Sequence, residues 1–438
     1  MTDSLDPVLP IECVEAIVDR RPTLDPDAVR EARSTLLDLE RRGRDALMER
    51  IDRFQERFDS GATLLDRTDF AAARDRIDRS TRRAIEAAAN RIRDFASAQL
   101  AALSPIDVAV PGTGLRAGHE IVPMEVAGCY VPGGRFPLPS SVLMTAIPAT
   151  VAGVDHIRLA GPRPTDATLA AAWFTGADSM LAAGGAHAIG ALAIGLEGIR
   201  CDVIVGPGNR FVTAAKAIVA GPDAPGARPL AIDGLAGPSE LLILADATAD
   251  PRVIAADLLA QAEHDPEAGV WLATDDASIR DAVRMELAVA CASLPEPNRA
   301  IAIESIKQGA AILVESLEEL AMVADRLAPE HLEILVREPV SLSKSIRHAG
   351  ATFVGSGAAE VFGDYGVGPN HVLPTGGSAR IGQGLSVFDF LRTRTWVSSS
   401  SGVPSTSLVE ETARLARVEG LEAHARAAEA RTADIVEA

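Results

Sequence analysis

From about residue 120 onward, short apolar runs alternate with glycine turns and Ala-rich segments, and this texture constrains the fold more than any other feature of the chain. Strands are expected over residues 125–131, 156–160, 179–183, 202–205 and 240–245. Several end in glycine turns: Gly133-Gly134, Gly184-Gly185 and Gly206-Pro207-Gly208-Asn209. Strand, glycine turn and helix in repetition specify a parallel sheet covered by helices. A second alternating stretch covers residues 253–355, with strands expected at 269–273, 311–314, 331–336 and 351–354. Two α/β units follow. Ligands of such sheets are expected at the carboxyl ends of the strands.

The flanks read differently. Residues 26–100 have helical spacing, with Leu47, Ile51, Phe54 and Phe58, then Ile85, Ile92 and Phe95, recurring on one face. Residues 374–402 are rich in Gly, Ser and Thr and read as a long connection. A final helix is expected over residues 407–435, punctuated by Gly420. A chain of 438 residues is too long for one compact core. Its formal charge of −19 argues against duplex nucleic acid or an anionic membrane as partner. An anionic dinucleotide needs only a local cradle and is not excluded. The four cysteines, Cys13, Cys129, Cys201 and Cys291, form no CxxC, so a thiolate zinc site is not expected. They read as small apolar residues in a reducing cytosol. Met1-Thr2-Asp3-Ser4-Leu5-Asp6 lacks the features of a signal peptide, and no apolar stretch reaches membrane-spanning length. The expectation is a cytoplasmic protein.

The chemistry-bearing residues are few. Gln261 and His264 stand three residues apart at the end of an apolar helical segment, 253–259. Three residues turn a helix by roughly 300°, so both side chains leave one face. Three more of the eight histidines have acidic company: Glu330-His331 after Pro329, His371 seven residues after Asp364, and His424 five residues after Glu419. Histidine is the commonest zinc ligand and the usual base near neutral pH. These positions suggest a metal-assisted enzyme with ligands gathered from distant segments. Glu330 and His331 read as an acid/base pair or as a solvated junction. The turn from Tyr130 to Arg135, and Gly206 to Asn209 at a helix start, both suit a ligand's approach. Ser239 reads equally as a turn residue or a substrate contact.

The strings YVPGGR, LPSSVLM, GPGN-x-FVTAAK, AGPSE, LLAQAEHDP, APEHLE, GDY-x-x-GPNHVLPT and EGLEAH occur in order between residues 130 and 424. In that combination the chain resembles histidinol dehydrogenase, from roughly residue 25 to 430. The resemblance implies an α/β fold of two incomplete Rossmann-like parallel-sheet domains with helical N-terminal and C-terminal extensions. The division would be 1–25 as the N-terminal extension, 26–129 plus 237–380 as the domain carrying most metal and substrate residues, 130–236 as the NAD-binding domain, and 381–438 as a tail reaching a partner subunit. It implies zinc- and NAD-dependent oxidation of L-histidinol to L-histidine through a bound aldehyde, in a homodimer. The metal ligands fall on Gln261, His264, Asp364 and His424, the last supplied by the partner copy. Substrate contacts fall on Ser140, Ser141, Ser239, His371 and Glu419, with the metal ligands and the acid/base pair Glu330 and His331 also touching substrate. The cofactor positions fall on Tyr130, Asn209 and His187, where the family has Gln in place of His187. That swap also admits a paralogous zinc- and NAD-dependent dehydrogenase of another small polar alcohol. A non-enzymatic zinc-binding protein is the third reading; the presence of both Glu330 and His331 counts against it.

Overall fold

The computed structural model describes residues 8–20, 24–58, 60–133, 137–198, 200–222, 224–399 and 403–431. Gly134 and Arg135 of the first glycine turn, and the end of the expected final helix, lie outside the described residues. The chain forms two compact units, residues 1–98 with 124–390, and residues 99–123 with 391–438.

The first unit contains two sheets with the same winding. One has six strands in the order Leu64–Asp66, Ser179–Leu181, His156–Ala160, Val126–Tyr130, Val203–Val205, Ala231–Ile232. Its pairings are parallel except that of Leu64–Asp66, which runs antiparallel to Ser179–Leu181. The other is wholly parallel, in the order Ala310–Leu313, Gly269–Thr274, Glu240–Ala245, His331–Leu335, Ala351–Val354. In the parallel part of each, the chain starts at a central strand, moves outward on one side, then crosses back to the other; the antiparallel Leu64–Asp66, earlier in the chain, is added at the outer edge of the first sheet. The crossing creates a switch point beside the starting strand: Val126–Tyr130 against Val203–Val205, and Glu240–Ala245 against His331–Leu335. The central strands are mostly apolar because helices cover both faces; every residue of Val126–Tyr130, Glu240–Ala245 and His331–Leu335 is buried, the polar Glu240, His331 and Glu333 included. That unbroken burial is why the sequence marked these strands so clearly.

Local signals set the helices. Asp25 caps Pro26–Arg42, Asn209 caps Arg210–Ala220, and Asp250 caps Pro251–Ala262, each accepting backbone N–H groups of the first turn. Residues 26–54, grouped by sequence with the stretch after 237, pack on the six-stranded sheet: Ala28, Leu36, Leu47 and Ile51 share a core with Val126, Leu181 and Ile204. Cys129, Cys201 and Cys291 are buried as small apolar residues, whereas Cys13 is exposed.

The second unit corrects the sequence reading. Within the supposed connection 374–402, Leu391–Ser399 is a strand, paired antiparallel with Leu115–Pro123, which also pairs with Ile106–Ala109. Its side chains are nearly all exposed or half-buried, and Arg392 and Arg394 interrupt it. An apolar-run criterion cannot detect such a strand. The expected final helix is two helices, Thr406–Val418 and Glu422–Glu429, broken at Gly420, whose φ is +80°. Among the described residues no helix is long and apolar enough to cross a membrane.

Candidate active site

The catalytic candidates collect at the amino edge of the five-stranded sheet. This corrects the expectation that ligands sit only at carboxyl ends. His331 is the first residue of its strand and Glu240 the first of the neighbouring strand; Glu330 and Ser239 directly precede them. The main chain of Glu240 organises the pair. Its N–H donates to Glu330 Oε2 at 2.9 Å, and its carbonyl lies 3.0 Å from His331 Nδ1. A carbonyl only accepts, so Nδ1 carries the proton and Nε2 holds a lone pair. His331 Nε2 is buried and has no hydrogen-bond partner among the described residues. Burial lowers the His331 pKa to about 4, against the opposing pull of the Asp364 carboxylate. The ring is therefore a neutral base with its acceptor atom unused. Burial raises the Glu330 carboxyl well above its ordinary value, the Glu240 N–H working against it.

The helix Pro251–Ala262 carries Gln261 in its last turn, fully buried. Among the described residues neither its Oε1 nor its Nε2 has a partner. A buried amide with both atoms unsatisfied costs on the order of 1–3 kcal/mol per group, a penalty that a ligand would remove. His264 stands two residues past the helix, in a turn, so it does not share a helical face with Gln261 as the spacing predicts. A ligand atom each of His264, Asp364 and Glu360 lies within 4.8 Å of the others. Burial raises the Glu360 carboxyl well above normal, and the nearby Asp364, Glu333 and Glu330 add to this. Gathered carboxylates, an imidazole and an unsatisfied amide oxygen are the donor set of a hard-to-borderline divalent cation, so zinc fits the residues present.

His371 lies on the same side. Its Nδ1 donates to the Asp364 carbonyl at 3.1 Å, leaving Nε2 to accept from Ser141 Oγ at 3.4 Å. Burial lowers its pKa. Ser141 is buried and Ser140 half-buried in the first turn of Pro139–Ala152, which follows the central strand of the six-stranded sheet. Asn370 Nδ2 donates to Met144 O at 2.6 Å and anchors the His371 loop to that helix. Ser239 is half-buried and accepts Gly269 N–H through its carbonyl at 2.8 Å. Glu419 and His424 are exposed residues of the second unit.

The cofactor candidates lie at the carboxyl edge of the six-stranded sheet. Gly206 closes the switch point, where an added Cβ would lie 2.1 Å from Tyr130 O and φ is +114°, so only glycine fits. Buried Lys216 donates to Gly206 O at 2.9 Å and pairs with Asp233, whose Oδ2 accepts Gly206 N–H at 2.7 Å. The side chains of all three cofactor positions are engaged within the protein. Tyr130 Oη accepts Gly185 N–H at 3.1 Å, Asn209 caps its helix, and His187 Nε2 meets Glu56 Oε2 at 2.7 Å with its ring stacked on Phe54.

Two residues of this site escaped the sequence reading. Glu360 stands four residues before Asp364, a helical spacing that puts both carboxylates on one face, and that spacing was the available signal. Glu240 acts through its backbone, which no side-chain pattern reveals.

Residues 19–432 match the family model described as histidinol dehydrogenase. The chain belongs to the histidinol dehydrogenase family. It is 45% identical over 311 residues to the histidinol dehydrogenase of Thermus thermophilus, covering 70% of this chain and 73% of that protein. It is 42% identical over 406 residues to that of Gluconobacter oxydans, covering 90% of both. The crystal structure of histidinol dehydrogenase from Elizabethkingia anophelis superposes with a TM-score of 0.86 at 32% identity, covering 95% of each chain. The α/β reading and the family resemblance are both borne out.

Proposed function

We propose that this chain oxidises L-histidinol to L-histidine, the last step of histidine biosynthesis, with NAD as acceptor and a divalent cation, zinc, at Gln261, His264 and Asp364. Family membership supports the reaction class. The observation that carries the residue assignment is that His331 Nε2 and both polar atoms of the Gln261 amide are buried with no hydrogen-bond partner among the described residues. His331 takes the alcohol proton on Nε2, its ring held by the Glu240 carbonyl. After His331 has passed that proton to solvent, the ionised form of Glu330, held by the Glu240 N–H, takes a proton from the water that hydrates the aldehyde, and His331 Nε2 is again free to take the proton of the hydrate. Retention of the aldehyde between the two oxidations keeps a reactive species from solvent. Ser141 and His371, bonded to each other, orient the substrate's polar end, with Ser140 and Ser239 as further contacts. When bound, the cation templates the substrate as a Lewis acid and NAD provides the hydride acceptor.

NAD is proposed to bind at the switch point of the six-stranded sheet. The helix starts at Gly185 and Arg210 favour its phosphates there, and Tyr130, His187 and Asn209 hold the surrounding turns. Glu419 and His424 are proposed to complete the site of a second copy, making the enzyme a homodimer with shared active sites. Incubation with L-histidinol and NAD should give two NADH per L-histidine formed, abolished by a chelator and restored by zinc. No NADH from L-histidinol, with turnover of another small polar alcohol, would transfer the assignment to a paralogous dehydrogenase.

A further inference from the structure

Glu333 is a buried carboxyl that the proposed reaction does not use. It lies two residues after the base on the strand His331–Leu335, with none of its surface exposed. Across the sheet its neighbours are Ile243 and Phe353. A carboxyl in such surroundings is costly unless it is hydrogen-bonded, and an aliphatic residue would extend the apolar strand without that cost. Its Oε1 accepts the backbone N–H of Glu360 at 2.7 Å. Glu360 opens the short helix Glu360–Asp364, whose preceding residue Ala359 offers no capping side chain. Glu333 therefore satisfies an orphan helix N–H from the neighbouring strand. On its other side it faces Asp257, one helical turn before Gln261 on Pro251–Ala262; burial raises both carboxyls. One side chain thus stands between the helix that carries Gln261 and the helix that carries Asp364.

We propose that Glu333 is a positioning residue of the metal site: by holding the Glu360 N–H it fixes the place at which Asp364 and Glu360 meet His264. This rests on the metal-site reading given above. Glutamine at 333 keeps an oxygen acceptor of the same reach, and leucine keeps the size without it. The test is titration of chelator-stripped enzyme with cobalt(II), followed by its visible absorption, in wild type, E333Q and E333L. E333Q should bind cobalt within about threefold of wild type, and E333L about 10–100-fold more weakly, the usual cost of losing an outer partner of a metal ligand. Wild-type affinity in E333L overturns the proposal. So does equal weakening in E333Q and E333L, because charge rather than the acceptor would then matter. If E333L does not fold, E333Q decides alone: affinity kept upholds the proposal, and affinity lost by tenfold or more overturns it. A wild type that binds no cobalt brings down the metal-site reading itself.

Discussion

The two sheets of the first unit share one winding order yet present their candidate sites at opposite edges. At the carboxyl edge of the six-stranded sheet, helices begin. At the amino edge of the five-stranded sheet, the helices Pro251–Ala262 and Glu360–Asp364 end beside Gln261, His264 and Asp364. Helix starts carry partial positive charge and helix ends partial negative charge. The first edge suits the phosphates of a dinucleotide and the second suits a cation, so the proposed sites set two ligands of opposite sign on one repeated architecture. Polar satisfaction differs in the same sense. Tyr130, Asn209, Lys216 and His187 are all bonded within the protein, whereas Gln261, His331 and Glu360 keep buried atoms without partners. The first edge presents backbone held in shape; the second presents buried polar side-chain atoms with no hydrogen-bond partner among the described residues.

This contrast can be broken at either edge. The largest effect is expected for His331→Asn, which removes the free Nε2: kcat should fall by about two to four orders of magnitude with metal content unchanged. Steady-state NADH formation with elemental analysis checks both, and a loss of metal would recast His331 as a ligand. His264→Ala should weaken metal binding by at least the roughly 10–100-fold that loss of an outer partner costs, with activity following it; full occupancy by elemental analysis would remove His264 from the site. Glu330→Gln should slow aldehyde oxidation about tenfold more than alcohol oxidation, measured on each half-reaction separately.

The same substitution has a stability signature. Burial raises the Glu330 pKa, so the folded state holds its proton at pH values where the unfolded chain has released it. Its stability penalty therefore grows as pH rises above the unfolded value. In chelator-treated protein Glu330→Gln should raise Tm more at pH 8 than at pH 5, and a gain larger at pH 5 would contradict the sign. His331 behaves in the opposite sense: depressed to about 4 from 6.5, it removes stability as pH falls through that window. The smallest effect belongs to the other edge. His187→Gln should change KM for NAD by about two- to tenfold, or about 0.4–1.4 kcal/mol, and leave metal content untouched. A changed metal content would show that the two edges are not independent.

Much of this was legible in the sequence, for physical reasons that differ by region. Strands buried on both faces, such as 240–245, announce themselves as unbroken apolar runs. Gln261 and His264 were visible as an amide and an imidazole three residues apart, although only Gln261 is on the helix and His264 stands in the turn after it. The strand Leu391–Ser399 was not, because its exposed, Arg-interrupted surface has no apolar signature. Nor was the use of the amino edge, since it depends on where helices end in space. Glu240 contributes backbone groups, and the position of Glu333 matters only once Glu360 is folded against it.

The most direct measurement is anomalous diffraction at the zinc absorption edge, from crystals of the protein grown with zinc and L-histidinol. The account predicts one peak per active site, about 2.0–2.2 Å from Gln261, His264 and Asp364, with the substrate's carbinol carbon beside His331 Nε2. A peak elsewhere, with the Gln261 amide still unpartnered, would contradict it.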